Sequence, residues 1–124
     1  MWIAIKTTKM LKKNYEFRYV LKQGKSYYGE NIKAFIIKNN KKNNYLGLAI
    51  STKFGKAVQR NKIKRLIREN YKNIEKNLLN GYSIVFIIKK ETKPENIDFY
   101  QIKRDMNKIF YDAKLIKMEK VWKI

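Results

Sequence analysis

The hydrophobic and polar positions of this chain change their period several times. Near the start, apolar residues recur at helical spacing and predict a helix over 14–23. Asn14 is a residue type that caps helices, and Gly24 is a type that ends them. The predicted buried side of this helix consists of Phe17, Val20 and Leu21.

Short strand patterns come next. Residues 32–37 are rich in β-branched and aromatic side chains, and apolar positions alternate over 45–51, so both segments predict strands. A shorter strand over 24–29 is a further possibility. The segment 38–44 between the two clear strands contains only lysines and asparagines. It predicts a mobile hairpin loop, whose content we interpret as compositional bias rather than function.

The second half of the chain predicts a helix, a strand and a helix. The helical pattern runs over 57–80, and Gly81 is placed to end it. Tyr82–Ile88 is apolar on both faces, which indicates a central strand. Asp98 and Gln101 have the spacing of a capping box. The last helix then shows one apolar stripe: Ile102, Met106, Ile109, Phe110 and Ala113.

The predicted element order is α-β-β-β-α-β-α, which indicates an α+β fold with helices packed against a small sheet. A length of 124 residues fits one domain. Residues 1–10 show no clear period, so we predict an N-terminal extension over 1–10 and one domain over 11–124. Met10 is an alternative start of the protein.

Charge narrows the class of partner. Lys and Arg number 30 against 10 Asp and Glu, which gives a net charge of +20 and a pI near 10.1. Such a chain predicts a polyanionic partner, with nucleic acid first and an anionic membrane surface second. The alternative is that the positive charge only keeps the protein soluble. Acidic residues would do this at least as well, so solubility alone does not explain the excess of lysine and arginine.

Two residue types are absent, which excludes several kinds of catalytic and metal site, and the lack of long apolar stretches bears on where the protein is located. The absence of cysteine excludes disulfides, zinc ribbons and thiol nucleophiles, and the absence of histidine removes the commonest general base and metal ligand. The apolar start is too short for a signal peptide, and no stretch reaches the roughly 20 apolar residues that span a bilayer. These features predict a cytoplasmic protein with no membrane partner.

The predicted helix that starts at Ala57 separates its charges from its apolar residues. On an ideal helix, four polar positions fall within about a 60° arc, with further cations beside them and the apolar residues opposite. The arc contains Asn61, Arg65, Arg68 and Lys72; its flanks are Arg60, Lys62 and Lys64; the opposite side has Ile63, Leu66, Ile67 and Ile74. Like charges at this spacing each cost a few tenths of a kcal/mol, which favours selection for phosphate binding.

Two other interpretations of this helix stay open. A solvated surface helix is one, but such faces usually interleave both signs of charge. Membrane binding is the other, but it needs an apolar face that is not used by the core. The preceding segment 51–56 is rich in small and basic residues, so its backbone N–H groups could bind phosphate, or Ser51 or Thr52 could cap the helix. The spacing of a Walker loop is absent.

Residues 47–69 read GLAISTKFGKAVQRNKIKRLIRE. This segment closely resembles the signature of the bacterial ribonuclease P protein family, in which a Ser-Lys-Lys-like turn with glycine leads into a helix opening Arg-Asn-Arg-x-Lys-Arg. The resemblance extends from about Leu11 to Ile116 and includes the opening LKKNYEF and Gly24.

The resemblance implies a fold and an activity. The fold is a small mixed sheet with a left-handed β-α-β crossover, like the second domain of a small-subunit ribosomal protein; general rules for crossovers predict the right-handed form. The implied activity is endonucleolytic removal of the 5′ leader of precursor tRNA by a ribonucleoprotein. Catalytic groups and the hydrolytic Mg²⁺ belong to its RNA subunit, so no catalytic residue or metal ligand is assigned to this chain. Its implied partners are the catalytic RNA, with one protein per RNA, and precursor tRNA.

Family roles carry over to particular residues. The basic motif that meets RNA corresponds to Lys53, Arg60, Asn61, Lys62, Lys64, Arg65 and Arg68. Lys62 stands where the family usually has Arg, so it keeps the charge but loses the bidentate fork. The aromatic residues of the family's leader-binding cleft correspond to Phe17 and Phe35, and Leu21 occupies a position that is often aromatic. For each aromatic, a plain core role is the alternative.

Two rival functions remain. A ribosomal or general RNA-binding protein would bind RNA without stimulating cleavage. A self-sufficient nuclease would hold its own metal through carboxylates, for which the candidates are Asp98, Asp105 and Asp112. Two of these, Asp105 and Asp112, lie about two helical turns apart, too far for one ion without other ligands.

Overall fold

The structure is a computed structural model that describes residues 7–117. It contains three helices: α1 (Asn14–Gln23), α2 (Ala57–Ile74) and α3 (Phe99–Asp112). Its strands are β1 (Lys9–Met10), β2 (Lys25–Tyr28), β3 (Ile32–Lys38), β4 (Tyr45–Leu48) and β5 (Tyr82–Ile88). Single 3-10 turns follow α2 at Glu75–Asn77 and precede α3 at Pro94–Asn96. The predicted α+β class is confirmed.

The five strands form one mixed sheet in the order β1-β4-β5-β3-β2. The predicted central strand, β5, pairs with parallel β4 on one side and with antiparallel β3 on the other. β4 and β5 are therefore adjacent parallel strands joined through α2, as the resemblance implied. The hand of that crossover stays a prediction.

The hairpin predicted for residues 38–44 is wrong. β3 and β4 do not pair with each other, because β5 lies between them. The segment instead crosses the start of β5, and its asparagines make specific hydrogen bonds there. Asn39 donates to the hydroxyl of Ser83, and Asn44 accepts from the N–H of Tyr82 and donates to the carbonyl of Leu79. The Asn44 amide thus satisfies two backbone groups beside the start of β5.

The sheet has two different faces. We call the face beneath α2 and α3 the core face, and its fully buried strand residues are Ile32, Ala34, Ile36, Leu46, Ile84 and Phe86. We call the opposite face, which contacts α1, the open face, and its strand residues include Lys33, Phe35, Ile37, Tyr45, Ser83, Val85 and Ile87. The alternation of side chains along each strand produces this division.

The helix predicted over 57–80 ends at Ile74, earlier than expected. After one 3-10 turn the chain becomes extended, so that Leu78 is buried and pairs with Ile116. Gly81 does not cap the helix. It has φ +96° and lies in the turn before β5, where this backbone conformation favours glycine.

The bounds predicted for α1 are confirmed, but its cap is not Asn14. Lys13 is the N-cap residue, and the carboxylate of Glu16 accepts the N–H groups of Lys12 and Lys13 at 2.9 and 2.8 Å. Gly24 does end the helix, with an ordinary φ of −75°. A β-carbon there would lie 2.5 Å from the Val20 carbonyl oxygen, so close packing explains this glycine.

α3 has the predicted N-cap, since the Asp98 carboxylate accepts the N–H of Gln101 at 2.8 Å. The reciprocal half of the capping box is not made, because the Gln101 side chain donates to Glu30 instead. The predicted apolar stripe is buried except for Ala113, which is half-buried at the C-cap.

The segment before α1 contains a strand that the sequence did not predict. Lys9 and Met10 pair with β4, and Thr7 and Thr8 donate their N–H groups to the carboxylate of Glu75. The boundary between an extension over 1–10 and a domain over 11–124 stays a prediction, and residues 1–6 and 118–124 lie outside the described residues. Among the helices at 7–117, none is both long and apolar enough for a membrane span.

Candidate nucleic-acid interface

The basic face of α2 is the first part of the candidate site. Ile63, Leu66 and Ile67 are buried against the core face of the sheet, which fixes the rotation of the helix. Because an α-helix has 3.6 residues per turn, residues three or four positions apart share a side, and the side opposite these three residues faces solvent. The predicted residues Lys53, Asn61, Lys62 and Arg65 are exposed, and Arg60, Lys64 and Arg68 are half-buried.

The apolar side of α2 contains two polar residues that the periodicity did not indicate. Asn70 is buried and donates from its amide to the carbonyls of Leu66 and Phe99, which links α2 to the start of α3. Tyr71 is fully buried, its hydroxyl lies 2.7 Å from that of Thr8, and burial raises its pKa to about 12. These contacts hold α2 in one orientation and keep its cations outward.

The turn before α2 is fixed by local hydrogen bonds. Ser51 accepts the N–H of Lys53, so its hydroxyl stabilises the turn and does not cap the helix. The cap residue is Lys56, whose N–H donates to the side chain of Gln59 at 2.8 Å. Arg60 donates from one guanidinium nitrogen to the Gly55 carbonyl at 2.7 Å. Arg60 therefore both holds the turn and contributes charge.

The ion pair between Arg65 and Glu69 is too weak to neutralise Arg65 on this face. Arg65 and Glu69 are 3.8 Å apart in an i, i+4 pair whose side chains are 50% and 32% exposed. A pair of that kind contributes at most about 0.5 kcal/mol, so a phosphate can readily replace Glu69. Burial lowers the pKa of Arg68 from its ordinary value, but an arginine stays charged near neutrality.

The second part of the site is a group of aromatic rings on the open face, which we call the aromatic floor: Phe17, Tyr28 and Phe35. Phe17 and Phe35 both pack around Val85 and remain half-buried. The ring of Phe17 lies directly over Gly47, where a β-carbon would come within 2.5 Å of its Cε2 atom. The structure thus brings the two predicted aromatics to one face, with part of each ring accessible.

Tyr28 and Lys33 are members of this surface that sequence reasoning missed. They are cross-strand partners, and the Lys33 Nζ lies 4.7 Å from the Tyr28 ring centre and 5.0 Å from that of Phe35. A hydrogen bond from Ser26, followed by the effect of Lys33, lowers the pKa of the Tyr28 hydroxyl. The sequence did contain one indication of this surface. Side chains alternate between the two faces of a strand, so Lys33 and Phe35 must lie on the same face.

The remaining position with a family role, Leu21, does not continue the floor with a ring. It is half-buried and packs into the apolar cluster beneath α1. Its side chain therefore supports the helix that carries Phe17.

The floor and the basic helix meet at one edge of the sheet. Parallel strands β4 and β5 both end there, and Lys33 pairs with Ile87 beside that end. The turn that leads into α2 also starts there and packs against the next connection, since a β-carbon at Gly55 would lie 3.4 Å from Pro94. A strand lying on the aromatic floor can therefore reach the start of α2.

The three aspartates of the nuclease hypothesis have other partners. Asp105 is 4% exposed, and its carboxylate accepts the N–H groups of Glu30, Asn31 and Ile32. Asp98 caps α3, and Asp112 pairs with Lys108 at 2.8 Å. Among residues 7–117, no three acidic side chains lie close enough to hold a metal ion. Asp105 positions the β2–β3 turn beside the floor.

A separate concavity lies away from these residues. A space of about 510 Å³ separates the far parts of α2 and α3 and is lined mainly by amide and apolar side chains. It contains one lysine, Lys103, and shares no residue with the predicted site. Charge and accessible rings, rather than cavity volume, therefore mark the candidate interface.

Comparison with known proteins agrees with this geometry. The family model described as Ribonuclease P matches residues 5–114. The ribonuclease P protein component of Clostridium botulinum strain 657 is 41% identical over 87 residues, which cover 69% of this chain and 78% of the relative. The component from Clostridium perfringens strain SM101 is 36% identical over 118 residues, or 90% of this chain and 93% of the relative.

Solved structures show the same fold. The RNase P protein of Staphylococcus aureus has a TM-score of 0.76 at 30% identity, covering 87% of this chain and 97% of that chain. The RNase P protein of Thermotoga maritima has a TM-score of 0.71 at 31% identity, covering 80% of this chain and 92% of that chain. The sequence match and the shared fold lead to one conclusion. This chain belongs to the ribonuclease P protein family.

Proposed function

We propose that this chain is the protein subunit of a ribonuclease P that removes the 5′ leader of precursor tRNA. In this proposal the basic face of α2 binds phosphates of the catalytic RNA, and the aromatic floor holds the single-stranded leader. The catalytic groups lie in the RNA, with one protein per RNA. Since both partners are RNAs, we expect the particle in the cytoplasm.

The observation that carries the proposal is the pairing of two open surfaces at one edge of the sheet. Exposed cations such as Arg65 can neutralise phosphates, and accessible rings such as Phe35 can stack on bases of any sequence. Lys33 stands beside two of these rings and can contact the phosphate of a stacked nucleotide. A leader of variable sequence requires such sequence-tolerant binding.

Among the described residues, no three acidic side chains lie close enough to hold a metal ion. The best buried carboxylate, Asp105, uses both oxygens on backbone N–H groups. In keeping with the family resemblance, we propose that the Mg²⁺ needed for phosphodiester hydrolysis is held by RNA, and that this chain contributes by binding and orienting the two RNAs.

Cleavage of a precursor tRNA tests the function directly. With a cognate RNase P RNA at low magnesium concentration, the chain should stimulate release of the leader. RNA binding without stimulation would favour the general RNA-binding protein, and cleavage without any RNA subunit would favour the nuclease.

The salt dependence of binding between this chain and the catalytic RNA tests the role of α2. Removing two phosphate contacts should reduce the slope of log affinity against log salt by about 1.5. The test variant is Arg60→Ala with Arg65→Ala. The matched control removes two exposed cations of α3, Lys103→Ala with Arg104→Ala, and should keep the original slope. An unchanged slope in the test variant would exclude α2 as the contact.

The aromatic floor is tested by Phe17→Ala in the assembled holoenzyme. Loss of one stacking ring should weaken binding of leader-bearing substrate by about 1–3 kcal/mol and leave mature tRNA nearly unaffected. Equal losses for the two RNAs would mean that Phe17 is a core residue only.

A further inference from the structure

A second aromatic surface lies on the other flank of α1 from Phe17. Tyr15 and Tyr19 are four positions apart, so they lie on the same side of the helix, and they are 60% and 57% exposed. With Tyr45 at the start of β4 they line a groove of about 450 Å³ between α1 and the 38–45 segment. We call this the tyrosine groove.

The groove combines rings with positive charge. Its lining includes Lys38 and Lys41, and the Lys41 Nζ lies 4.9 Å from the centre of the Tyr45 ring. The one carboxylate in the lining, Glu16, accepts two backbone N–H groups at the start of α1, and these bonds lower its pKa. Such a surface suits a base stacked on a ring with its phosphate beside a lysine.

The core does not account for the exposed rings. Val20 already anchors α1 on the sheet at 2% exposure, and Tyr15 and Tyr19 lie to one side of it. Large aromatic side chains with more than half of their surface in water bury little apolar area in return. A ligand with flat π faces would cover them.

The groove and the aromatic floor share the open face of the sheet. The row formed by Ile37, Ser83 and Tyr45 adjoins the row formed by Phe35, Val85 and Gly47. Neighbouring rows are two residues apart along a strand, which is about 7 Å. α1 lies between the two surfaces, so a leader that occupies both must cross or go round this helix, about 10–12 Å wide, which a few nucleotides can span.

We propose that the tyrosine groove binds unpaired nucleotides of the leader that lie farther from the tRNA than those on the aromatic floor. This inference rests on the proposed function, because it extends the path of the same strand. Stacking on Tyr15 and Tyr19 provides the binding, and Lys41 beside Tyr45 neutralises a phosphate.

The test measures precursor binding by the holoenzyme with leaders lengthened one nucleotide at a time. Tyr15→Ala with Tyr19→Ala should weaken long-leader substrates by roughly five- to fiftyfold and leave short-leader substrates unchanged. Tyr15→Phe with Tyr19→Phe keeps the rings and should restore binding. The matched control, Tyr100→Ala with Tyr111→Ala, removes two exposed tyrosines of α3 and should have no effect.

Other outcomes overturn the proposal. An unchanged affinity at every leader length would show that the groove is not occupied. An equal loss for all substrates, mature tRNA included, would assign the groove to the catalytic RNA instead of the leader.

Phe17→Ala, measured alongside, separates this proposal from the proposed function. If Phe17→Ala weakens leader binding and the tyrosine pair does not, only the groove proposal fails. If neither variant affects leader binding, the leader-binding role itself fails. Photocrosslinking of thiouridine-substituted leaders to the unmutated holoenzyme gives an independent readout. The distal nucleotides should crosslink to Tyr15 or Tyr19. A lack of crosslinks at both residues would contradict the groove proposal.

Discussion

The two faces of the sheet differ in how they are covered. On the core face, α2 and α3 bury the central strand side chains completely, and Phe86 meets Phe110 edge to face at a centroid distance of 6.0 Å. On the open face, α1 alone covers Val85, and the aromatic floor keeps part of each ring accessible. A single helix is too narrow to cover five strands, so one sheet supports a core on one side and a binding surface on the other.

The difference also appears in where charge lies. Cations of the two helices on the core side lie on their outward faces, with the apolar side of each helix between them and the sheet. On the open face, Lys33 lies within the sheet surface itself, between the rings of Tyr28 and Phe35. The first arrangement suits a phosphate backbone, and the second suits stacked nucleotides.

The sharpest test of this contrast is to remove a phenylalanine from each face. Phe86→Ala should lower the free energy of unfolding by about 3–5 kcal/mol, because it leaves a cavity in a fully buried site. Phe35→Ala should cost about 1 kcal/mol, because its ring is half-exposed. Urea unfolding of both variants measures the two values, and equal losses would contradict the contrast between the faces.

A smaller loss of stability is expected when a methyl group is added beneath the Phe17 ring, at Gly47. A β-carbon at position 47 would displace the Phe17 ring, so Gly47→Ala should lower the free energy of unfolding by about 1–3 kcal/mol. The control is the same substitution in a Phe17→Ala background, where the clash is gone and the added cost should vanish. A persistent cost there would mean that Gly47 is required for another reason, such as its contact with Leu11.

The smallest effect concerns the contact of Glu75 with the segment before α1. Burial acts to raise the pKa of this carboxyl, but hydrogen bonds from Thr8 and Thr7 outweigh it and hold the pKa below 4.5. The resulting stability is present above about pH 4.5 and is lost as the pH falls through the lower folded value. We expect a contribution of about 1 kcal/mol or less.

Glu75→Gln tests this linkage, because an amide does not titrate. The variant should unfold with a weaker pH dependence than the unmutated chain below about pH 4.5, as followed by thermal unfolding across an acidic pH series. Identical pH profiles for the two proteins would show that Thr7 and Thr8 do not stabilise the ionised carboxylate.

The sequence by itself determined the elements whose signal is local. α1 keeps its predicted bounds, Asp98 caps α3, and the division of α2 into apolar and cationic sides is confirmed, because helical periodicity depends only on neighbours along the chain. The segment 47–69 was sufficient to indicate the family.

Only the tertiary structure decided which strands pair and which side chains meet. β5 lies between β3 and β4, so the segment predicted as a hairpin instead crosses the start of β5. α2 ends earlier than predicted because Leu78 pairs with Ile116. Tyr28 and Lys33 joined Phe35 through cross-strand register, and Tyr45 joined Tyr15 and Tyr19 across a groove. Such contacts join residues far apart in the chain, and the free energy that selects them comes from burial and pairing of the whole sheet, which no local pattern contains.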